Sequence, residues 1–295
     1  MSRFTAINLA QMAPPDVIET LDYERIVTEL RDDLVATFPA IAGVIDLQSE
    51  PARKLIEAFA YREMLLRARI NDAARSVMLA SAYGANLDHL AALFGTKRME
   101  VEDESGAMVL ESDDRLRRRV QLAPDAFSVA GPEGAYVYHA LTVAPWARDV
   151  TAISPRPGCI RVTVLRSGDQ PSPALSERES VRMALLKNDV RPLTDMVEVR
   201  GRDVQRITVE ATLTLYEGPD GTMVRNKAIT ALSDWLEANR MLGRNLRRSA
   251  IFSRLHVEGV HSVDLASPAK DVVLERTEVY VVDALTIKLG GLRDG

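Results

Sequence analysis

The chain has 295 residues, 46% hydrophobic and 27% charged, a composition that argues against disorder and leaves room for two or three domains. Its 42 acidic residues outnumber 37 basic ones, for a net charge of −5, which speaks against a protein whose main partner is a phosphate backbone. Cys159 is the only cysteine, so no intrachain disulfide can form. No apolar run reaches the roughly eighteen residues that a membrane-spanning helix needs, so no membrane insertion is expected. The opening Met1-Ser2-Arg3-Phe4-Thr5-Ala6 lacks a charged region followed by an apolar one, and the expectation is a chain that folds in the cytoplasm.

Residues 1-20 contain Pro14-Pro15 followed by Asp16. Two prolines fix φ and remove two donors, so this stretch reads as an extended arm. Asp22 introduces a helix from Tyr23 to Phe38, with Ile26, Val27, Leu30, Leu34 and Phe38 at helical spacing and Pro39 as its stop. Ser49 as N-cap and Pro51 in the first turn open a second helix. With no further Gly or Pro before Tyr83-Gly84, it is expected to run that far, on the order of 50 Å. Its apolar positions Ile56, Phe59, Leu66, Ile70, Ala73, Val77 and Ala80 fall on three- and four-residue steps, a heptad seam interrupted by Glu63. Such a seam has to be covered, either by the chain's own core or by another chain. Arg62, Arg67, Arg69 and Arg75 lie near it, suited to carboxylates across an interface. A short helix follows from Leu87 to Phe94, capped by Asn86 and stopped by Gly95.

Met99 to Ala107, rich in Glu100, Glu102, Asp103 and Glu104, reads as a loop. Asp113 to Leu122 is a charged helix closed by Pro124, and Gly131-Pro132-Glu133 opens another that reaches Leu141. From Val150 the period changes to two, the signature of strands. Strands are expected at Val150–Ser154, Ile160–Leu165 and Val197–Val199, with a helix over Ser172–Lys187 between the last two. Gly201-Arg202-Asp203 is the preferred boundary. Beyond it come a strand over Arg206–Tyr216, the turn Gly218-Pro219-Asp220-Gly221, helices over Thr222–Met241 and Ser249–His256, and strands at Val260–Leu265 and Val279–Leu289. The fold class is therefore α+β: an arm (1-20), a helical region with a long helix (21-130), and two small α+β domains (131-202 and 203-295). The segments around His139–Pro155 and Leu255–Pro268 resemble each other, which raises internal duplication as a hypothesis.

Chemistry is hard to find. His89, His139, His256 and His261 show no zinc-ligand spacing, and neither a GxSxG elbow nor a GxxxxGK[ST] loop occurs, so no metal, cofactor or catalytic residue is expected. In Gly131-Pro132-Glu133-Gly134, Pro132 removes a donor and Glu133 repels phosphate. Asp113 and Asp114 fit the positive end of a helix dipole. An α+β hydrolase-like enzyme would have only Asp113, Asp114 and His139 to work with. A nucleic-acid-binding protein would have to use the Arg115–Arg119 face. Arg117 and Arg118 are more readily placed on a solvated or interchain salt-bridge surface.

Four stretches carry a resemblance. They are Ala13-Pro14-Pro15-Asp16-Val17-Ile18-Glu19 with Leu21-Asp22-Tyr23-Glu24; Tyr61 to Ala74 continuing to Ala80; Gln121 to Ser128 with Ala130 to Tyr136; and Asp189-Val190-Arg191-Pro192-Leu193-Thr194-Asp195. Together they resemble the baseplate J-like family of contractile phage tails and R-type pyocin-like particles, in order and over nearly the whole chain. The resemblance implies a structural wedge subunit that pairs with a second copy of itself and with a tail protein I-like subunit. It implies a ring around the central spike or hub, contacts to sheath-proximal baseplate proteins, and a role in triggering sheath contraction. On this view Ile56, Phe59, Arg62, Leu66, Arg69, Ile70 and Val77 become a bundle surface, Pro14 and Pro15 a clamp, and Arg117 and Arg118 an interface charge.

Overall fold

A computed structural model describes residues 7, 9–102, 106–168, 172–218 and 220–293. The described residues divide into two compact units, one holding those up to Arg98 together with Ser112–Arg117, the other Met99–Glu111 and those from Arg118.

The first unit is helical. Helix α1 (Tyr23–Thr37) is capped by Asp22, whose carboxylate accepts from Arg25 N at 3.2 Å, and Pro39 opens a single 3-10 turn after it. Helix α2 (Pro51–Ser76) is capped by the Glu50 side chain, which accepts from Ala52 N at 3.3 Å, rather than by Ser49. It also stops well short of Tyr83. Arg75 O accepts from Met78 N at 3.3 Å, a three-residue step, and from the Ser81 hydroxyl at 2.8 Å, so a tightened turn and a side chain take the place of the next helical bond. Gly84, expected to end the long helix, instead begins helix α3 (Gly84–Ala92) at φ +54. Helices α1 and α2 bury Ile26, Ile56 and Ala60. Tyr23 Oη donates to Glu57 O at 3.3 Å, tying one helix to the backbone of the other.

In the second unit, strands β1 (Glu100–Glu102) and β2 (Met108–Leu110) pair antiparallel. Strand β1 falls within Met99–Ala107, which the sequence marks as a loop. The pairing rests on backbone groups, continued by Glu111 N to Met99 O at 2.8 Å, and acidic side chains do not prevent it. The acidic residues Asp103 and Glu104 lie outside the described residues. Helix α4 (Asp113–Ala126) spans residues of both units and carries Pro124 inside it. It outlasts the proline and closes on Phe127 N to Pro124 O and Ser128 N to Asp125 O, both at 3.3 Å.

Helix α5 (Glu133–Val143), strands β3 (Ala147–Arg156) and β4 (Cys159–Arg166), helix α6 (Leu175–Leu185) and strand β5 (Met196–Gly201) form one α+β module. Its sheet runs β3-β4-β5, antiparallel then parallel. Tyr136, Ala140 and Leu141 of α5 and Val181 and Leu185 of α6 pack on Val162, Val164 and Val197. The last module is strand β6 (Asp203–Tyr216), helices α7 (Gly221–Ala238) and α8 (Arg248–Leu255), and strands β7 (Val260–Ser267) and β8 (Glu278–Arg293). Ile207, Val209, Ala211, Leu213 and Leu215 of β6 all face inward toward Val224, Leu232, Ile251 and Leu255, while Thr208 and Glu210 face out. That is the period-two pattern of a sheet covered on one side.

The two cores share no residue. Charged groups cross between them: Arg148 to Glu237, Arg276 to Glu133, and Asp149 to Leu242 N. In the second sheet the order is β7-β6-β8, so β8 crosses over β6 to pair with it in parallel. In the first, the strand after the Ser-Pro turn returns directly as the centre of the sheet. A helix leading into an antiparallel edge strand is common to both modules; the wiring that follows is not, and a simple internal duplication does not describe it.

Candidate functional site

Helix α2 has two apolar faces. Ile56, Ala60 and Asn71 point into the chain's own packing, so Ile56 belongs to the intramolecular core and not to the outward seam. A neighbouring face carries Leu55, Phe59, Leu66 and Ile70, continued past the helix by Val77, each 56 to 69% exposed. Steps of three and four residues align them with Arg62, Arg69 and Ala73, all exposed. Arg62 and Arg69 make no ion pair among the described residues, whereas Arg67 bonds Glu63 at 2.6 Å and Glu19 at 3.1 Å, and Arg75 pairs with Asp72 at 3.2 Å. Covering half-exposed side chains of this size is worth about 1 kcal/mol each, roughly 5 kcal/mol for the row.

The arm is fastened to α2 by a residue that periodicity did not single out. Asn71, 3% exposed, donates to Glu19 O at 2.9 Å and accepts from Glu19 N at 3.1 Å, satisfying both backbone groups of one residue as a strand neighbour would. Its only signal in the sequence is a polar residue set among apolar helix positions. Pro14 and Pro15 are exposed, and together with Met12, Ile18, Met78 and Leu79 they line an apolar pocket of about 430 Å³ between the arm and the end of α2.

The arginine run of α4 turns inward. Arg117 donates to Leu79 O and Ala82 O, both at 2.8 Å, and to Asp114 at 2.7 Å, closing the turn that ends α2. Arg118 bonds Asp149, and Arg119 forms a buried pair with Glu111 at 2.6 Å, the two side chains 2% and 0% exposed. Both Arg117 and Arg118 are therefore occupied within the chain rather than held out as free surface charge. Asp113 accepts from Gly84 N at 3.1 Å and Arg98 at 2.7 Å; burial pushes its carboxyl up, but these two partners outweigh it and hold it below the usual range. Asp114 pairs with Arg117, and His139 is half-buried with its pKa lowered by desolvation. Asp113 and Asp114 are thus committed to arginines, while His139 Nε2 finds no hydrogen-bond partner among the described residues. Among the described residues no three His, Cys, Asp or Glu gather as metal ligands, and no helix is long and apolar enough to cross a membrane.

A helical unit with an unpartnered apolar face, followed by two α+β modules, defines a modular α+β chain. Three domain profiles match it in order: the baseplate J-like N-terminal domain over residues 48–104, the central domain over 128–201, and the C-terminal domain over 207–288. It is 38% identical to baseplate protein J of Escherichia phage P2 over 296 residues, 97% of this chain and 98% of that protein. The chain belongs to the baseplate J-like family. Among solved structures, a chain of the anti-feeding prophage baseplate matches at a TM-score of 0.43 and 14% identity, covering 60% of this chain and 43% of that one.

Proposed function

We propose that this member of the family, a structural protein of the tail baseplate, acts as a wedge subunit. It assembles around the central spike and couples target binding to sheath contraction. One observation carries the reading: the exposed row of Phe59, Leu66 and Ile70 on α2, continued by Val77 and flanked by Arg62 and Arg69, which make no ion pair among the described residues. A row of that kind suits another helix laid against it, with carboxylates opposite the arginines. In this reading residues 21–130 supply the bundle, residues 131–202 and 203–295 act as rigid modules, and the Pro14-Pro15 arm closes on a neighbour. The partners are a second copy of the chain and a tail protein I-like subunit.

The test is light-scattering mass after size exclusion, for the chain alone and co-expressed with its neighbouring tail proteins. A defined hetero-oligomer supports the reading. Leu66→Glu with Ile70→Glu is expected to dissolve it while leaving the thermal midpoint of the isolated chain unchanged. A chain that stays monomeric beside every tail protein would overturn the assignment.

A further inference from the structure

The outer face of the first sheet carries a positive hollow, against the negative charge of the chain as a whole. On it, Arg161 stands opposite Glu198 in the parallel register of β4 and β5, with Arg200 two residues on. Both guanidiniums use the same carboxylate: Arg161 Nε bonds Glu198 Oε2 at 3.1 Å, and Arg200 Nε bonds Oε1 at 2.8 Å. The carboxylate is held ionised, first by Arg200 and then by Arg161 against the opposing effect of burial. Arg156, at the β3–β4 turn, faces the same hollow and makes no ion pair among the described residues. Three arginines and one glutamate therefore line a concavity of about 500 Å³, an excess of two positive charges. Met196, 67% exposed, supplies an apolar contact at its rim.

Strand β5 is also the edge of its sheet: among the described residues β4 pairs with it on one side and no strand on the other. An edge strand offers a row of backbone donors and acceptors to an extended segment, and alternate side chains of that segment would fall over the hollow. We propose that the β5 edge and the Arg156–Arg161–Arg200 hollow receive an extended acidic segment of a neighbouring baseplate protein. Two uncompensated guanidiniums, set on a rigid sheet beside an apolar anchor, match carboxylates carried at strand spacing.

The inference rests on incorporation of the chain into a baseplate, so its test separates the two. A photo-crosslinking benzoylphenylalanine is placed at Met196 in the full chain, and in a parallel sample at Leu66. Both are assembled in the producing cell, and adducts are mapped by mass spectrometry. Adducts from Met196 are expected on a segment in which Asp and Glu outnumber Lys and Arg. Arg156→Glu, which breaks no side-chain bond among the described residues, should lower their yield about tenfold, and Arg156→Lys should retain it. Adducts from Leu66 but none from Met196 would overturn the inference alone. So would adducts on a neutral or basic segment, or a yield indifferent to Arg156→Glu. Loss of adducts at both positions would overturn incorporation itself.

Discussion

Asp149, 4% exposed, is where three parts of the second unit meet. Its Oδ1 accepts from Arg118 of α4 and from Val150 N at 2.8 Å, and its Oδ2 accepts from Leu242 N, just beyond α7, at 2.9 Å. Asp149→Ala leaves the Arg118 guanidinium without its carboxylate and the Leu242 N–H without an acceptor. Breaking a buried ion pair costs about 3 to 5 kcal/mol, and Arg118, 32% exposed, recovers part of that from water. Adding about 1 kcal/mol for the stranded N–H gives a loss of about 4 kcal/mol. With a urea slope of about 3 kcal/mol per molar for a chain of this size, the midpoint falls by about 1.3 M. The assay is urea unfolding followed by tryptophan fluorescence. Trp146 packs against the core of the first module and Trp235 against that of the last, so Trp146→Phe and Trp235→Phe variants report the two separately. The two transitions should coincide in the parent chain and separate in Asp149→Ala. A midpoint drop of less than about 0.3 M, or transitions that remain coincident, would show that Asp149 does not join the modules.

Other substitutions test other joints. Arg117→Ala removes two charge-assisted bonds to Leu79 O and Ala82 O and should cost about 2 kcal/mol in the same assay; lysine, lacking the planar fork, should restore less than half. Gly131 sits at φ +71, and a Cβ there would lie 2.7 Å from Pro192 Cδ, so Gly131→Ala should lower the thermal midpoint by several degrees, for a loss of about 3 kcal/mol. Burial lowers the pKa of His139 below its ordinary 6.5, which means the unfolded chain binds its proton first as pH falls. Stability from this group is whole above about pH 6.5 and declines below it, and His139→Gln should flatten the thermal midpoint between pH 7 and about pH 5.5.

Much of this architecture is legible in residue spacing. Alternation in Ile207, Val209, Ala211, Leu213 and Leu215 marks a half-buried strand, and the strand is there with those residues inward. Asp22, Pro39 and Gly95 punctuate helices as their chemistry dictates. What spacing cannot supply is the identity of the neighbour. Ile56 and Phe59 lie close together on a helical wheel, yet one packs within the chain and the other is exposed, because the direction of α1 decides between them. The arginines of α4 read as a surface run, and their acceptors, Leu79 O, Asp149 and Glu111, are far away or close by in sequence without any pattern linking them. The end of α2 depended on a serine hydroxyl reaching back to Arg75 O, a competition with no breaker residue to announce it. For the exposed face, residue spacing set Phe59, Leu66, Ile70 and Val77 in one row with Ile56, and the structure separates that outward row from the inward Ile56.

The parallel pairing of β6 with β8 has a kinetic side. Asp203 meets Glu278, and Tyr216 meets Arg293, with two helices and a strand intervening. The last sheet therefore closes a large loop before any of its ladder is formed, and topologies of that kind fold slowly. Helices α1 and α2 need only a short connection to find each other. During biosynthesis the helical unit, with Phe59 and Leu66 already on display, is then expected to be in place while the final sheet is still open, so that recruitment of neighbours and completion of the fold proceed side by side.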